Sequence, residues 1–339
     1  MKEKNFHSID CFKLLMAICV IAIHTHPLES CSINIINKFY ESFVAIAVPF
    51  FFLASGFLLA QKFDSSFCNQ NNLVIIKNYL QKITKMYLTW TIIYIPLAIY
   101  HYITTETSIL KSIILYIRNF IFVGEQYNSW HLWYLLATIY ALIFILILKH
   151  FKLSPKKILL ASFISFLLSI GIDYIITYSE NTNNIINSLA KIIKLTIGSG
   201  RIFSGIFYIT IGIMLSKKQP KLTISWLILI IGLFLNIIIN KSYLDSIFIA
   251  LSSIGLFNII NSFKLPNSKI YPILRTTSTK IYLTHMYIWT IYYMIVYKEK
   301  TFGLDSFLVT TAISIILANI SIIIKNKKQK KLYNKHNHI

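Results

Sequence analysis

Residues 129–149 read SWHLWYLLATIYALIFILILK, and residues 132–148 contain no Asp, Glu, Lys, Arg or His. A helix rises 1.5 Å per residue, so about 20 such residues cross the ~30 Å hydrocarbon core of a bilayer. Comparable apolar runs occupy 11–28, 41–61, 83–104, 157–178, 202–216, 221–240, 243–262, 279–298 and 304–325. They are continuous rather than alternating, which favours helices over a closed barrel as the way to satisfy backbone groups in lipid. The expected fold is an all-α, polytopic integral membrane bundle of about ten transmembrane helices. The run at 202–216 is short, and Asn319 interrupts the last. Two further apolar segments carry charge, 108–123 with Lys111 and Arg118, and 184–196 with Lys191 and Lys194. Their length and charge suit interfacial or re-entrant helices.

Composition agrees. Of 339 residues, 56% are hydrophobic and 13% are charged, against roughly 25% charged in a soluble domain. Mean hydropathy is +0.64. No stretch has ordinary globular composition, so residues 1–325 are expected to form one transmembrane domain, followed by a basic cytosolic tail at 326–339. The first apolar stretch is long, and His24-Thr25-His26-Pro27 is no small-residue cleavage site, so no removable signal is expected.

The net charge of +21 does not imply a nucleic-acid partner. The basic residues punctuate the gaps between apolar runs, as topology signals and lipid contacts do. With the N-terminus inside, 24 of the 33 Lys and Arg residues fall on the cytosolic side. The positive-inside rule therefore selects N-in/C-in. Cys11, Cys19, Cys31 and Cys68 have neither pairing nor metal spacing, so no disulfide framework and no metal site are expected.

Ionisable residues within spans are costly and mark candidate sites. His24 lies in the outer half of the first run, with Lys13 eleven residues before it, about 16 Å nearer the cytosol. Asp10 stands at that helix start, where a carboxylate suits the dipole. His131 opens the fourth run, Asp173 lies in the outer part of the fifth, and His285 in the inner third of the ninth. Plainer readings compete with a catalytic one. Lone membrane histidines often bond a neighbouring helix, and the Trp130–Tyr134 aromatics match an interfacial belt. Lys82 and Lys85 suit snorkelling anchors, while Ser55 and Gly56 suit close helix packing. Together, Lys13, Lys82, Lys85, Arg275 and Lys280 make a cationic cytosolic mouth fit for a phosphate-bearing donor such as a coenzyme A thioester. A histidine beyond it has a pKa suited to taking a proton from a hydroxyl.

At these residues the chain resembles the membrane acyltransferase-three family, multi-span bacterial proteins that O-acetylate cell-surface glycans. The resemblance rests on Asp10, Lys13 and His24 in register; on Phe51-Phe52-Leu53-Ala54-Ser55-Gly56-Phe57; and on Lys82 and Lys85. His131-Leu132-Trp133 and Ser278 with Tyr282-Leu283-Thr284-His285 complete it. It runs from about residue 8 to about residue 325. Lysine stands where the family carries arginine at 13, 82 and 85, which loses bidentate forks on phosphate. His131-Leu132-Trp133-Tyr134-Leu135 and Arg201 before Gly205 and Gly212 are similar to the subgroup that includes the membrane halves of vancomycin-resistance serine racemases, where that half is implicated in supplying serine.

The resemblance implies a multi-pass enzyme of the bacterial cytoplasmic membrane, an acyltransferase for groups other than aminoacyl groups. It would move an acyl group, acetyl above all, from cytosolic acyl-CoA (acetyl-CoA) to a hydroxyl of a cell-envelope glycan or lipid-linked glycan. His24 would be the general base, with His131 as the second catalytic residue, orienting the acceptor or its base. Lys13, Lys82 and Lys85 would hold the CoA phosphates. Asp10, Ser55, Asp173, Arg201, Ser278 and His285 are further substrate-binding or structural candidates. The alternative is a transporter of serine or a related amino acid, with His24, Asp173 and Arg201 lining the pathway. A third reading is an inert partner in an envelope-assembly complex.

Overall fold

A computed structural model describes residues 6–64, 70–179, 184–239, 242–296 and 302–336. Lys2, Lys4 and Cys68, and the ends of the runs at 240 and 297–298, lie outside the described residues. Among the described residues 84% are helical, and no strand occurs. In chain order the helices are α1 His7–Thr25, α2 Asn34–Ala45, α3 Ala47–Ala60, α4 Gln70–Thr104 and α5 Ile109–Arg118. A π turn Asn119–Val123 and a 3-10 turn Trp130–Leu132 precede α6 Trp133–His150 and α7 Pro155–Tyr178. Then follow α8 Asn184–Thr196, α9 Arg201–Leu215, α10 Leu222–Ile238, α11 Ser242–Ser262, α12 Ile270–Val296 and α13 Leu304–His336.

The described part of each expected apolar run lies largely on helix, and among the described residues six spans are long and apolar enough to cross a membrane. A seventh counts if α8 and α9, bent by 68° at their junction, form one broken span. The second run is two helices that meet at Ile46. Pro49 sits in the first turn of α3, where its missing N–H leaves no helical bond unmade. α4 has 35 residues, about 52 Å, so it exceeds the hydrocarbon core and carries Lys77, Lys82 and Lys85 on its early turns. α1 ends where His26 takes a left-handed conformation (φ 42°) and donates its N–H to the Ala22 carbonyl. Pro27 follows, as it commonly does after a helix end. Asn319 does not interrupt α13, which runs on as helix to His336 through most of the segment read as a tail.

The chain divides into two compact units, Met1–Ala47 with Ile260–Ile339, and Val48–Ile259. In the first, α1 packs beside α12, with Asp10 meeting Arg275 and His24 meeting His285. Residue numbers rise together along the contact, so the two helices run parallel. α13 returns alongside α12: Lys280 donates to the Ser321 hydroxyl, and the Gly303 N–H donates to the Thr25 carbonyl at 2.9 Å.

In the second unit α3 and α9 press backbone to backbone. A Cβ on Gly56 would lie 2.1 Å from the Ile209 carbonyl oxygen, and one on Gly212 would lie 2.3 Å from that of Leu53. Without a hydrophobic force between helices in lipid, such close approach supplies the dispersion contact. Gly171 on α7 differs, since nothing lies within 4 Å of its Cβ position. Gly212→Ala should therefore destabilise the purified protein by about 1–3 kcal/mol, as overpacking does. Gly171→Ala should leave it unchanged or raise its stability by up to about 1 kcal/mol. Thermal unfolding in one detergent compares the two. Equal effects would mean that α3 and α9 are not in backbone contact.

Candidate functional site

The first unit gathers five of the candidate site residues, Asp10, Lys13, His24, Ser278 and His285, on α1 and α12. Asp10 is almost wholly buried, its side chain 5% exposed against 52% for Arg275. Arg275 Nε donates to Asp10 Oδ1 at 3.0 Å, and Nη2 to Oδ2 at 3.0 Å. This is the two-pronged fit that a planar guanidinium makes with a carboxylate. Asp10 thus does more than favour a helix dipole. Arg275, which the sequence placed in a cationic mouth, has its charge met by that carboxylate. Lys280, from the same expected mouth, donates to Ser321. Ser278 is buried and donates to the Arg275 carbonyl at 2.9 Å, so its hydroxyl serves the helix. Lys13 is half-buried.

His24 and His285 stack with ring centroids 5.5 Å apart and planes inclined by 28°. His24 is half-buried and His285 fully buried. The sequence set them at different depths, but α12 begins at Ile270, nine residues before the expected run, which moves His285 to mid-helix. His285 Nδ1 lies 3.1 Å from the Ile281 carbonyl. A carbonyl only accepts, so the proton sits on Nδ1 and Nε2 is left as the basic nitrogen.

The remaining candidates lie in the second unit. His131 occupies the 3-10 turn ahead of α6, 1% exposed, its ring edge-on to Tyr94 at 5.3 Å. Ser55 and Tyr134 share a hydrogen bond of 2.8 Å, and Tyr134 also donates to the Phe51 carbonyl at 3.3 Å. This bond joins α3 to α6. Lys82 and Lys85 are exposed on α4. Gln81, Thr84 and Thr89 flank Lys85 along a shallow open groove.

Arg201, Asp173 and a residue that the sequence reading passed over, Glu125, form a polar cluster. Arg201 Nη1 donates to Glu125 Oε1 at 2.5 Å, and its guanidinium lies 5.5 Å from the centre of the Trp133 ring. Asp173 Oδ1 accepts the Gly200 N–H at 3.0 Å, capping the start of α9. Glu125, half-buried, belongs to the non-helical loop 124–129, in which Gln126, Asn128 and Ser129 are buried and Gln126 donates through Nε2 to the Tyr116 carbonyl at 2.9 Å. Irregular backbone is tolerated in a membrane protein where protein or water satisfies it. No motif or periodicity in the sequence marks Glu125; its contact with Arg201 does. Among the described residues, no group of three or more His, Cys, Asp or Glu could hold a metal ion.

A multi-span helical protein with a histidine pair between parallel helices and a third histidine in the turn ahead of another helix is the class these features define. A model of an acyltransferase domain matches residues 6–325, and the chain belongs to that family, the membrane acyltransferases that the motifs resemble. It is 31% identical over 248 residues to an amino-acid racemase of Enterococcus faecalis, covering 72% of this chain and 33% of that protein. A second protein of that name and species is 35% identical over 139 residues, 41% of this chain and 18% of its own length. The chain thus spans a third or less of the curated relatives it matches. No solved structure matches it.

Burial pushes the Glu125 carboxyl above its ordinary pKa, and the Arg201 guanidinium pulls the other way. A carboxyl raised in the folded state favours its neutral form there. Its contribution to stability is therefore present below the unfolded value, about 4.3, and lost as pH rises through the folded one. On acidification Glu125 should protonate above that reference and release Arg201 over Trp133. Tryptophan fluorescence should show a transition with a midpoint above about 4.3, absent in Glu125→Gln and in Trp133→Phe. A transition that persists in Glu125→Gln would assign it to another group.

Proposed function

We propose that this protein is a membrane O-acyltransferase, moving an acyl group, acetyl above all, from cytosolic acyl-CoA to a hydroxyl of a cell-envelope glycan. The observation that carries the reading is the His24–His285 pair between α1 and α12, in a chain whose family is that of acyltransferases. His24, the more exposed ring, takes the proton from the acceptor hydroxyl. The acceptor oxygen attacks the thioester carbonyl, the carbon–sulfur bond breaks, and the departing CoA thiolate receives the proton. His285 supports the His24 ring from its buried side. The Asp10–Arg275 fork fixes α1 against α12.

Lys13, Lys82 and Lys85 hold the donor phosphates as point charges, and His131 orients the acceptor. The protein would reside in a bacterial cytoplasmic membrane with ten spans and both termini inside. Two observations support that topology: the cytosolic bias of Lys and Arg, and the parallel run of α1 and α12, which the first and ninth spans require. Anionic or neutral membrane lipids and a glycan, free or lipid-linked, are its partners.

A second reading has its own support. The break between α8 and α9 places Arg201 at the start of a half-helix, facing Glu125, with Asp173 on the Gly200 N–H. Discontinuous helices with polar ends build substrate sites in transporters, and the named relatives are amino-acid racemases. On this reading the chain carries serine or a similar amino acid.

A general base contributes about 10²–10⁴ in rate. His24→Ala should therefore lower glycan acylation at least about 100-fold with expression intact. His24→Gln, which can hydrogen-bond but is not basic, should be equally impaired. Normal acylation in the Gln variant would make His24 a packing residue. Serine uptake by wild-type cells, lost on Arg201→Gln and unaccompanied by any acylation, would replace the enzyme with the transporter.

A further inference from the structure

Two short helices in the second unit do not fit the bundle. α5 has 10 residues and α8 has 13, about 15 and 20 Å, so neither crosses the ~30 Å hydrocarbon core. Each is apolar along one face and basic along another. On α5, Ile109, Leu110, Ile113 and Ile117 are exposed, and Lys111 and Arg118 share the opposite arc. On α8, Ile185, Leu189, Ile192 and Leu195 are exposed, with Lys194 on the opposite arc and Lys191 at the edge of the apolar one. Neither helix contains an acidic residue.

The two are tied to each other and to the polar cluster. Arg118 Nη1 donates to the Leu195 carbonyl at 3.4 Å, and the Val123 side chain packs where a Cβ on Gly198 would stand. α8 turns through 68° into α9, which begins at Arg201. The π turn after α5 is held by hydroxyls of two other helices, Tyr87 to the Phe120 carbonyl at 2.7 Å and Tyr140 to that of Ile121 at 2.8 Å. The chain then enters the loop that carries Glu125. The ion pair between Arg201 and Glu125 therefore links the segment after α5 to the helix after α8.

We propose that α5 and α8 form one interfacial platform that lies in a leaflet of the bilayer and binds anionic phospholipid headgroups through Lys111, Lys191 and Lys194. Apolar side chains of this kind seat a helix at the headgroup boundary when its polar face is basic. Helices normal to the membrane would leave these lysines in hydrocarbon or the isoleucines in water. Lying flat satisfies both. Each basic residue near an anionic surface strengthens binding by about five-fold. The platform thereby sets the two halves of the Arg201–Glu125 pair at membrane depth, and lipid charge becomes an input to the polar cluster.

The test uses the full chain in nanodiscs of phosphatidylcholine, alone or mixed with phosphatidylglycerol, read by amide hydrogen exchange. Segments 109–123 and 185–196 should exchange more slowly in the anionic discs, while α1 and α12 should not change. The Lys111→Gln/Lys191→Gln/Lys194→Gln variant should keep its melting temperature and lose the difference between lipids. Lys191→Gln alone should raise the phosphatidylglycerol fraction needed for half-maximal protection by about five-fold. Equal protection in both lipids, or a lipid difference that survives the triple variant, would overturn the anionic headgroup as ligand. Rapid exchange of both segments in either lipid would show that the helices stand off the bilayer and would overturn the platform itself.

Discussion

The two-pronged contact between Asp10 and Arg275 sets the register of α1 against α12, and the histidine pair depends on that register. A carboxylate buried this deeply needs a partner, since removing one member of a buried pair costs about 3–5 kcal/mol. Arg275 is half exposed, so the figure here is smaller, but the constraint holds. With residue 10 fixed to residue 275, the parallel helices bring His24 and His285 to stacking distance further along. His7 extends the same clamp, stacked on Tyr271 at 4.2 Å and bonded to Asn267 at 2.7 Å. Ionisable side chains within a membrane must be satisfied internally, and this unit does so with the Asp10–Arg275 ion pair and with stacked rings.

The second unit meets the same constraint by other means. Its helices pack through glycine where α3 meets α9, and its irregular backbone is confined to helix ends. Residues 124–129 carry their polar atoms inward, where Gln126 bonds back to α5 and Ser129 Oγ accepts the Gln126 N–H at 3.1 Å. His131 follows directly, buried against Tyr94. His131 and Arg201 are thus held by a turn, an ion pair and aromatic contacts.

Helix positions were legible because hydrocarbon imposes length and composition together, and the runs read from residues 129–149 outward coincide with helices. Ser55 and Gly56 were legible as packing residues, since small side chains in an apolar run have few other uses. The break between α8 and α9 was visible only as an amphipathic stretch beside a short span; Gly198 at φ 74° supplies the turn. The stacking of His24 on His285 could not be read, because hydropathy places the start of α12 nine residues too late and says nothing of rotation. Glu125 was missed for a different reason. It stands in a loop where no periodicity marks it, and only its partner on α9 gives it meaning.

In the proposed reaction a cytosolic acyl-CoA is the donor for a hydroxyl acceptor. Sealed membrane vesicles of both orientations, prepared from cells expressing the protein, test it with radiolabelled acetyl-CoA, which does not cross the bilayer. Inside-out vesicles, whose cytosolic face is exposed, should incorporate label into their carbohydrate, and right-side-out vesicles should do so only after they are opened. Equal incorporation by sealed right-side-out vesicles, or none in either preparation, would contradict the account.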